Sequence, residues 1–114
     1  MPDCLFCKII RKEAPATLLH QDDEMTAFRD IHPAGPVHIL IVPNKHIASL
    51  NELEEADEPL LGRMLGLARD LAAGAGIAEG GYRIITNTGH NGGQTVFHLH
   101  LHLIGGQRVK YPMG

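Results

Sequence analysis

The segment Phe97–Leu103 alternates strictly between apolar and imidazole side chains, and it constrains the fold more than any other feature of the chain. Successive side chains of a β-strand point to opposite faces of the sheet. The pattern therefore predicts a strand over Val96–Ile104 with His98, His100 and His102 together on one outward face. The opposite face carries the apolar side chains that we expect in the core, which are Phe97, Leu99, Leu101 and Leu103.

A row of imidazoles on one strand face has three interpretations. It is a histidine-rich polar surface, a metal site built from neutral imidazoles, or a site of nucleophilic or acid–base catalysis. Neighbouring positions on one strand suit two metal ligands better than three. The preceding segment Gly92–Thr95 favours catalysis, because the backbone of a glycine-rich loop can approach phosphate oxygens and donate hydrogen bonds to them. The residues thus indicate an anion site with a histidine nucleophile.

Composition sets the class of protein and its surroundings. With 114 residues, 44% hydrophobic and 20% charged, we expect a single globular domain over residues 1–114. The formal net charge of −3 gives no reason to expect binding to nucleic acid or to a membrane surface. No apolar run approaches the roughly 20 residues of a membrane span, so the expected compartment is the cytoplasm. In that compartment the only two cysteines, Cys4 and Cys7, indicate a metal or redox pair.

The remaining elements follow from hydrophobic spacing and from glycine and proline positions. Apolar residues at three- and four-residue steps predict one long helix, from Asp57 or Glu58 to about Ala75. Together the elements predict an α+β fold, an antiparallel sheet with its helices on one side. The other predicted elements are a short helix over Cys4–Lys12 and strands over Met25–Phe28, Val37–Val42 and Tyr82–Asn87.

The chain resembles the histidine triad (HIT) family. His98–Ile104 matches the signature of that family, His-x-His-x-His followed by apolar residues. The resemblance extends from about Asp3 to Gly114. Within the family, the chain is most similar to the histidine triad nucleotide-binding branch. The resemblance is carried by four further blocks, Phe6–Ile10, Ala27–Ile31, Pro36–Pro43 and Gly92–Phe97.

The resemblance implies a fold and a reaction. The fold is α+β, with a five-stranded antiparallel sheet, one long helix and one short helix, and a homodimer continues the sheet to ten strands. The reaction is hydrolysis of purine nucleoside 5′-monophosphoramidates, without a catalytic cofactor, through a covalent nucleotidyl-histidine. His100 matches the nucleophile, and the phosphate site includes His38 and His102. Thr95 or a histidine is placed to protonate the leaving amine.

The resemblance also implies a nucleotide pocket. Asp30 matches the carboxylate that holds the ribose hydroxyls, although a turn residue would fit that position equally well. Ile9 and Phe28 fit a base clamp and a plain core position about equally. The full implied nucleotide-binding set is Phe6, Ile9, Phe28, Asp30, Ile31, Asn87, Gly93, Gln94, Thr95, His100 and His102.

Some members of the branch carry two cysteines at the positions of Cys4 and Cys7, and in those members the pair resembles half of a structural zinc site. The matching partners here are His46 and His98, which would complete a tetrahedral set of two thiolates and two imidazoles. His98 would then be structural rather than catalytic. The alternative is a pair of free thiols.

Other functions share the motif. A dinucleoside polyphosphate hydrolase and a nucleotide-binding sensor or interaction module with little turnover remain alternatives. The transferase branch replaces the third histidine, which is present here as His102. By resemblance the C-terminal tail, with Tyr111, reaches the partner subunit's site.

Overall fold

The structure is a computed structural model that describes residues 4–108. Its five strands form one sheet in the order β1-β2-β3-β5-β4, and every neighbouring pair is antiparallel. This confirms the α+β class, the five-stranded antiparallel sheet and the pairing of one long helix with a short one. The elements are α1 (Leu5–Ile10), β1 (Leu18–Gln21), β2 (Met25–Arg29), β3 (Val37–Pro43), α2 (Glu58–Gly74), β4 (Tyr82–Ile85) and β5 (Leu101–Gly105), with short 3₁₀ turns at Leu50–Glu52 and Glu55–Asp57.

Helix α2 covers one face of the sheet. Pro59 lies in its first turn, where a missing N–H is harmless. Its apolar stripe buries Met64 and Ala68 against Ile39 and Ile41 of β3, as the three- and four-residue spacing predicts.

Helix α1 lies on the opposite face, so the expectation that the helices share one side is wrong. Phe6 and Ile9 of α1 pack with Leu40 and Val42 of β3, whereas the alternate β3 residues face α2. The reason is visible in β3 itself. A strand that is buried on both faces has a nearly continuous apolar run rather than an alternating one, and Val37–Val42 has such a run.

The histidine-bearing strand is shorter than predicted, because β5 begins at Leu101 rather than Val96. The preceding backbone bonds to loops instead of a sheet ladder. The Leu99 amide donates to the Ile47 carbonyl at 2.6 Å, and the His100 carbonyl accepts from the Thr86 hydroxyl at 2.9 Å. Phe97 lies before the strand and is 55% exposed, so its predicted core position is wrong. The histidine face is not outward either, since α1 covers it and His98 is fully buried.

Two further differences concern short strands. β4 ends at Ile85 rather than Asn87. β1 has no counterpart among the elements predicted from hydrophobic spacing, because its sequence Leu-Leu-His-Gln is short and has no β-branched residue. Within residues 4–108, no helix combines the length and the apolar character needed to cross a membrane.

Candidate active site and cysteine–histidine cluster

His100 is held in one protonation form by the main chain. Its Nδ1 lies 2.7 Å from the His98 carbonyl oxygen, which only accepts hydrogen bonds, so Nδ1 carries the proton. The lone pair is then on Nε2. The ring is 5% exposed and packs against the edge of Phe6 with 5.1 Å between ring centroids. Burial lowers the pKa of His100, which keeps the ring neutral near pH 7. The arrangement provides a neutral imidazole nitrogen with an available electron pair.

His38 and His102 form a hydrogen-bonded chain beside His100. The Ala34 amide donates to His38 Nδ1 at 2.9 Å, which leaves the proton of a neutral His38 on Nε2. That Nε2–H donates to His102 Nδ1 at 2.8 Å, so His102 in turn carries its proton on Nε2. Burial, with the neighbouring His100 and His38, lowers the pKa of His102 to about 4. His102 is therefore a neutral hydrogen-bond donor near pH 7.

Asp30 lies beside the hydrogen bond between His38 and His102. One carboxylate oxygen lies 3.4 Å from His38 Nε2, and the other accepts from the His32 amide at 2.8 Å. Asp30, His38 and His102 place potential metal ligands within 4.8 Å of one another. However, the Ala34 amide fixes His38 Nε2 as a donor, so the cluster is built for proton contacts rather than for coordination.

A pocket of about 430 Å³ opens in front of His100 and His102. Its walls are largely apolar, and Asp30 and Thr95 contribute polar groups. Such a combination of an apolar cleft and a few convergent polar groups suits a small ligand with a flat apolar part and a charged part. The lining residues are Leu5, Phe6, Ile9, Pro15, Ala16, Phe28, Arg29, Asp30, Ile31, His32, Leu40, Thr95, Val96, His100 and His102.

The glycine loop before the histidines is tightly folded on itself. A Cβ atom at Gly92 would lie 2.3 Å from the Thr88 carbonyl oxygen, so only glycine fits there. The Gly93 and Gln94 amides donate to the carbonyls of His90 and Gly89. These two N–H groups are thus engaged inside the loop.

A second cluster lies behind the pocket, where Cys4, Cys7, His46 and His98 place one ligand atom each within 4.8 Å of one another. His98 Nε2 donates to the Pro43 carbonyl at 2.8 Å, which leaves the Nδ1 lone pair directed at the sulfurs. Nδ1 lies 3.4 Å from Cys4 Sγ and 3.6 Å from Cys7 Sγ. Cys7 Sγ also lies 3.3 Å from His46 Nδ1.

This geometry fits a zinc ion. Zn–S bonds of about 2.3 Å and Zn–N bonds of about 2.0 Å in a tetrahedron put neighbouring ligand atoms roughly 3.5 Å apart. The distances above match that spacing. Burial lowers the pKa of His98 to about 4, so this ring is neutral and able to coordinate. Burial and the neighbouring Cys4 thiol raise the pKa of Cys7, and zinc when bound would hold both sulfurs as thiolates.

The structure thus brings most residues predicted for nucleotide binding to one pocket. Three of them lie outside its walls: Asn87 donates to the Gly92 carbonyl, Gly93 belongs to the loop, and the Gln94 amide bonds to Ala48, Gly89 and Val96. His38 contacts the pocket only through His102 and Asp30. Tyr111 lies outside the described residues.

Sequence reasoning missed seven wall residues and did not identify which backbone groups bond the histidines. The missed wall residues are Leu5, Pro15, Ala16, Arg29, His32, Leu40 and Val96. Leu40 had a signal, since it lies two residues after His38 on the same face of β3. No sequence signal points to the Ala34 amide or to the carbonyls of Pro43 and His98. Every residue offers a backbone carbonyl, and every residue except proline offers a backbone N–H.

Known proteins resemble this chain over nearly its whole length. The sequence profile of the HIT domain family matches residues 11–109. A protein of Escherichia coli (strain K12) named purine nucleoside phosphoramidase is 50% identical over 112 residues, which cover 98% of this chain and 91% of that protein. The crystal structure of a HIT family hydrolase from Legionella pneumophila Philadelphia 1 is 47% identical, with a TM-score of 0.94 and coverage of 98% of this chain and 100% of that one. A histidine triad protein from Clostridium difficile is 36% identical, with a TM-score of 0.95 and coverage of 99% and 98%.

Proposed function

Because this chain belongs to the histidine triad (HIT) family, we propose that it is a hydrolase that cleaves the P–N bond of purine nucleoside 5′-phosphoramidates. The observation that carries the proposal is the form of His100. It is a buried, neutral imidazole whose Nδ1–H is held by a carbonyl, and it stands at the polar end of an apolar pocket. A 50% identical relative named purine nucleoside phosphoramidase supports the choice of substrate.

In the first half-reaction, His100 Nε2 attacks phosphorus and the P–N bond breaks. The nucleotide is then joined to His100, and the amine leaves with a proton. We assign the delivery of that proton to Thr95, which lines the pocket and is exposed, so that its hydroxyl can relay a proton from water. His102, as a neutral Nε2–H donor, is suited to stabilise charge on the phosphoryl oxygens rather than to act as an acid.

In the second half-reaction, the oxygen of a water molecule attacks phosphorus and the P–N bond to His100 breaks. Its electron pair returns to Nε2, and the proton lost by the water passes to solvent. The products are the nucleoside monophosphate and the free imidazole. The His98 carbonyl holds the same Nδ1–H throughout, so that His100 returns in the protonation form it had at the start. In this proposal the pocket walls hold the base, and Asp30 accepts hydrogen bonds from the ribose.

Rapid quench with an adenosine phosphoramidate, followed by intact-mass measurement, tests the proposal. We expect a mass gain of one nucleotide in the wild type and none in His100→Ala, whose turnover falls by about 10³-fold or more. His20→Ala is the matched control, because His20 pairs with Asp22 and neither residue lines the pocket. Unchanged turnover in His100→Ala would reject the nucleophile. Binding of AMP without turnover of any phosphoramidate would instead support a sensor.

We further propose that Cys4, Cys7, His46 and His98 hold a structural zinc ion. The donor set and its spacing support this, as described above. The ion would join α1 to the segment that carries His100. Two thiols that are free in the described chain also fit a reducing compartment such as the cytoplasm.

A homodimer through β4 is part of the same proposal. Both β1 and β4 are edge strands, and edge strands offer unpaired backbone groups to another chain. The register between β1 and β2 is interrupted between Leu18 and His20, whereas β4 pairs regularly with β5 over all four residues. A regular edge is the better template for a continuous sheet.

A further inference from the structure

We propose that the cysteine–histidine cluster controls the nucleotide affinity of the pocket, with Phe6 as the positioning residue that joins the two sites. Zinc bound at Cys4, Cys7, His46 and His98 would hold the pocket in its binding geometry. This inference rests on the nucleotide pocket proposed above and adds a regulatory role to a site that would otherwise be a structural anchor.

Helix α1 is the first connection between the sites. Cys4 is the N-cap of α1 and Cys7 lies in its first turn, while Phe6 and Ile9 of the same helix line the pocket. The helix has six residues. Helices shorter than roughly 12 residues are marginal on their own, so the position of α1 depends on its tertiary contacts. A metal bond to Cys7 would therefore fix the neighbouring pocket wall.

The backbone of residues 98–100 is the second connection. The His98 ring faces both sulfurs through Nδ1 and is anchored to the Pro43 carbonyl through Nε2. Its own carbonyl accepts the Nδ1–H of His100. The residue that would ligate the metal is thus also the residue that orients the nucleophile.

Phe6 contacts both sites with one side chain. Its ring centroid lies 6.0 Å from that of His98 and 5.1 Å from that of His100, and both contacts are edge-to-face. A third edge contact, at 5.4 Å, joins it to Phe28 in the pocket wall. The ring is 5% exposed, so it has little freedom to absorb a displacement on one side without passing it to the other.

Coupling between two binding sites is reciprocal. If zinc tightens AMP binding by some factor, saturating AMP must tighten zinc binding by the same factor. We expect a factor of about five or more, at the lower end of typical couplings between sites. This equality gives a readout that is independent of turnover.

The test measures both halves of the cycle on the full chain. Calorimetry gives the Kd of AMP for zinc-loaded and chelator-stripped protein, and competition with a chromophoric chelator gives the Kd of zinc with and without AMP. In Phe6→Leu we expect the coupling factor to fall towards one, and Phe6→Tyr, which keeps the ring, should retain it. Phe97→Leu is the matched control, since it makes the same change next to His98 on a side chain that is 55% exposed.

Each outcome has a distinct meaning. Equal AMP affinity with and without zinc overturns the coupling and leaves the proposed function intact. No AMP binding in either form rejects the nucleotide pocket, and failure to bind one zinc per chain rejects the metal site; either result also overturns the coupling. Full coupling in Phe6→Leu would mean that the Phe6 ring is not needed to join the two sites, which rejects the role of Phe6.

Far-UV circular dichroism shows whether the zinc-free variant is folded. If zinc-free Phe6→Leu is unfolded, the NMR signal of the His100 Nδ1 proton in the wild type decides. We expect that signal to shift or broaden when zinc is removed. An unmoved signal would mean that neither Phe6 nor His98 transmits the loss of zinc to His100, which overturns the coupling.

Discussion

At the scale of single residues, main-chain groups give the histidines different chemistry. The His98 carbonyl leaves His100 with a lone pair on Nε2, and the Ala34 amide makes His38 a donor to His102. The Pro43 carbonyl turns the Nδ1 lone pair of His98 towards the cysteines. Three histidines that look equivalent in the sequence thus present different groups: a lone pair on Nε2 of His100, an N–H on Nε2 of His102 and a lone pair on Nδ1 of His98.

The low pKa of His102, about 4, predicts a loss of stability in acid. The unfolded chain takes up this proton near pH 6.5, whereas the folded chain takes it up only near pH 4. The free energy of unfolding is therefore fully retained above pH 6.5 and falls as the pH drops from 6.5 to 4. We expect His102 to account for on the order of 3 kcal/mol of that fall, since one pKa unit corresponds to about 1.4 kcal/mol.

Urea unfolding of wild type and His102→Asn across this pH range measures the effect. The variant should show the shallower pH dependence. His90→Asn, at an exposed loop position, is the control and should keep the wild-type slope. Equal slopes for wild type and His102→Asn would contradict the prediction.

At the scale of elements, hydrophobic spacing predicted the helices and the central strand well, because α1, α2 and β3 are defined by burial of their own side chains. Hydrophobic spacing predicted too long a strand around the histidines. Alternation of apolar and polar residues indicates which side chains are buried, but not which backbone groups bond to a neighbouring strand. Residues 96–100 keep buried imidazoles but bond to Ile47 and Thr86 instead of a strand. Short β1 was missed because its half-buried residues carry no clear period.

Substitution of glycine by alanine should have opposite effects at two positions, Gly105 at the end of β5 and Gly62 in α2. A Cβ at Gly105 would lie 2.7 Å from Ile77 Cδ1 and 3.2 Å from Tyr82 Cβ. Gly105→Ala should therefore lower the free energy of unfolding by about 1–3 kcal/mol. Gly62, exposed in α2, has open space around its Cβ position, and Gly62→Ala should raise stability by about 0.5–1 kcal/mol. Thermal unfolding of the two variants and of the wild type measures both changes in stability. Shifts of the two Tm values in the same direction would contradict the prediction.

At the scale of the whole molecule, the site is assembled from segments far apart in the sequence. The pocket joins α1, the end of β2, β3 and the histidine segment. Spacing within one segment cannot show that Phe6 meets His100, so residue-level inference stopped at separate motifs. The resemblance to the family did bring residues of separate segments together in one predicted pocket, because a resemblance over the whole chain covers all segments at once.

The two edges of the sheet predict how the chain assembles. If β4 pairs with β4 of a second copy, sedimentation equilibrium should give a dimer at micromolar concentration. Hydrogen exchange should then show β4 amides that become better protected as concentration rises, with β1 amides unaffected. A monomer at that concentration, or protection confined to β1, would reject the proposed interface.

The position of α1 has a consequence for changing what the pocket accepts. Phe6 and Ile9 form one wall, but they share a two-turn helix with Cys4 and Cys7. A substitution in this wall that enlarges the pocket also moves Cys4 and Cys7. The ligand preference of the pocket and the position of the cysteines therefore cannot be altered separately there. Phe28 and Leu40 also line the pocket, but they lie on strands that are paired on both sides. A different ligand preference is therefore best sought first at those two residues, because the paired strands hold the backbone in place when the side chain changes.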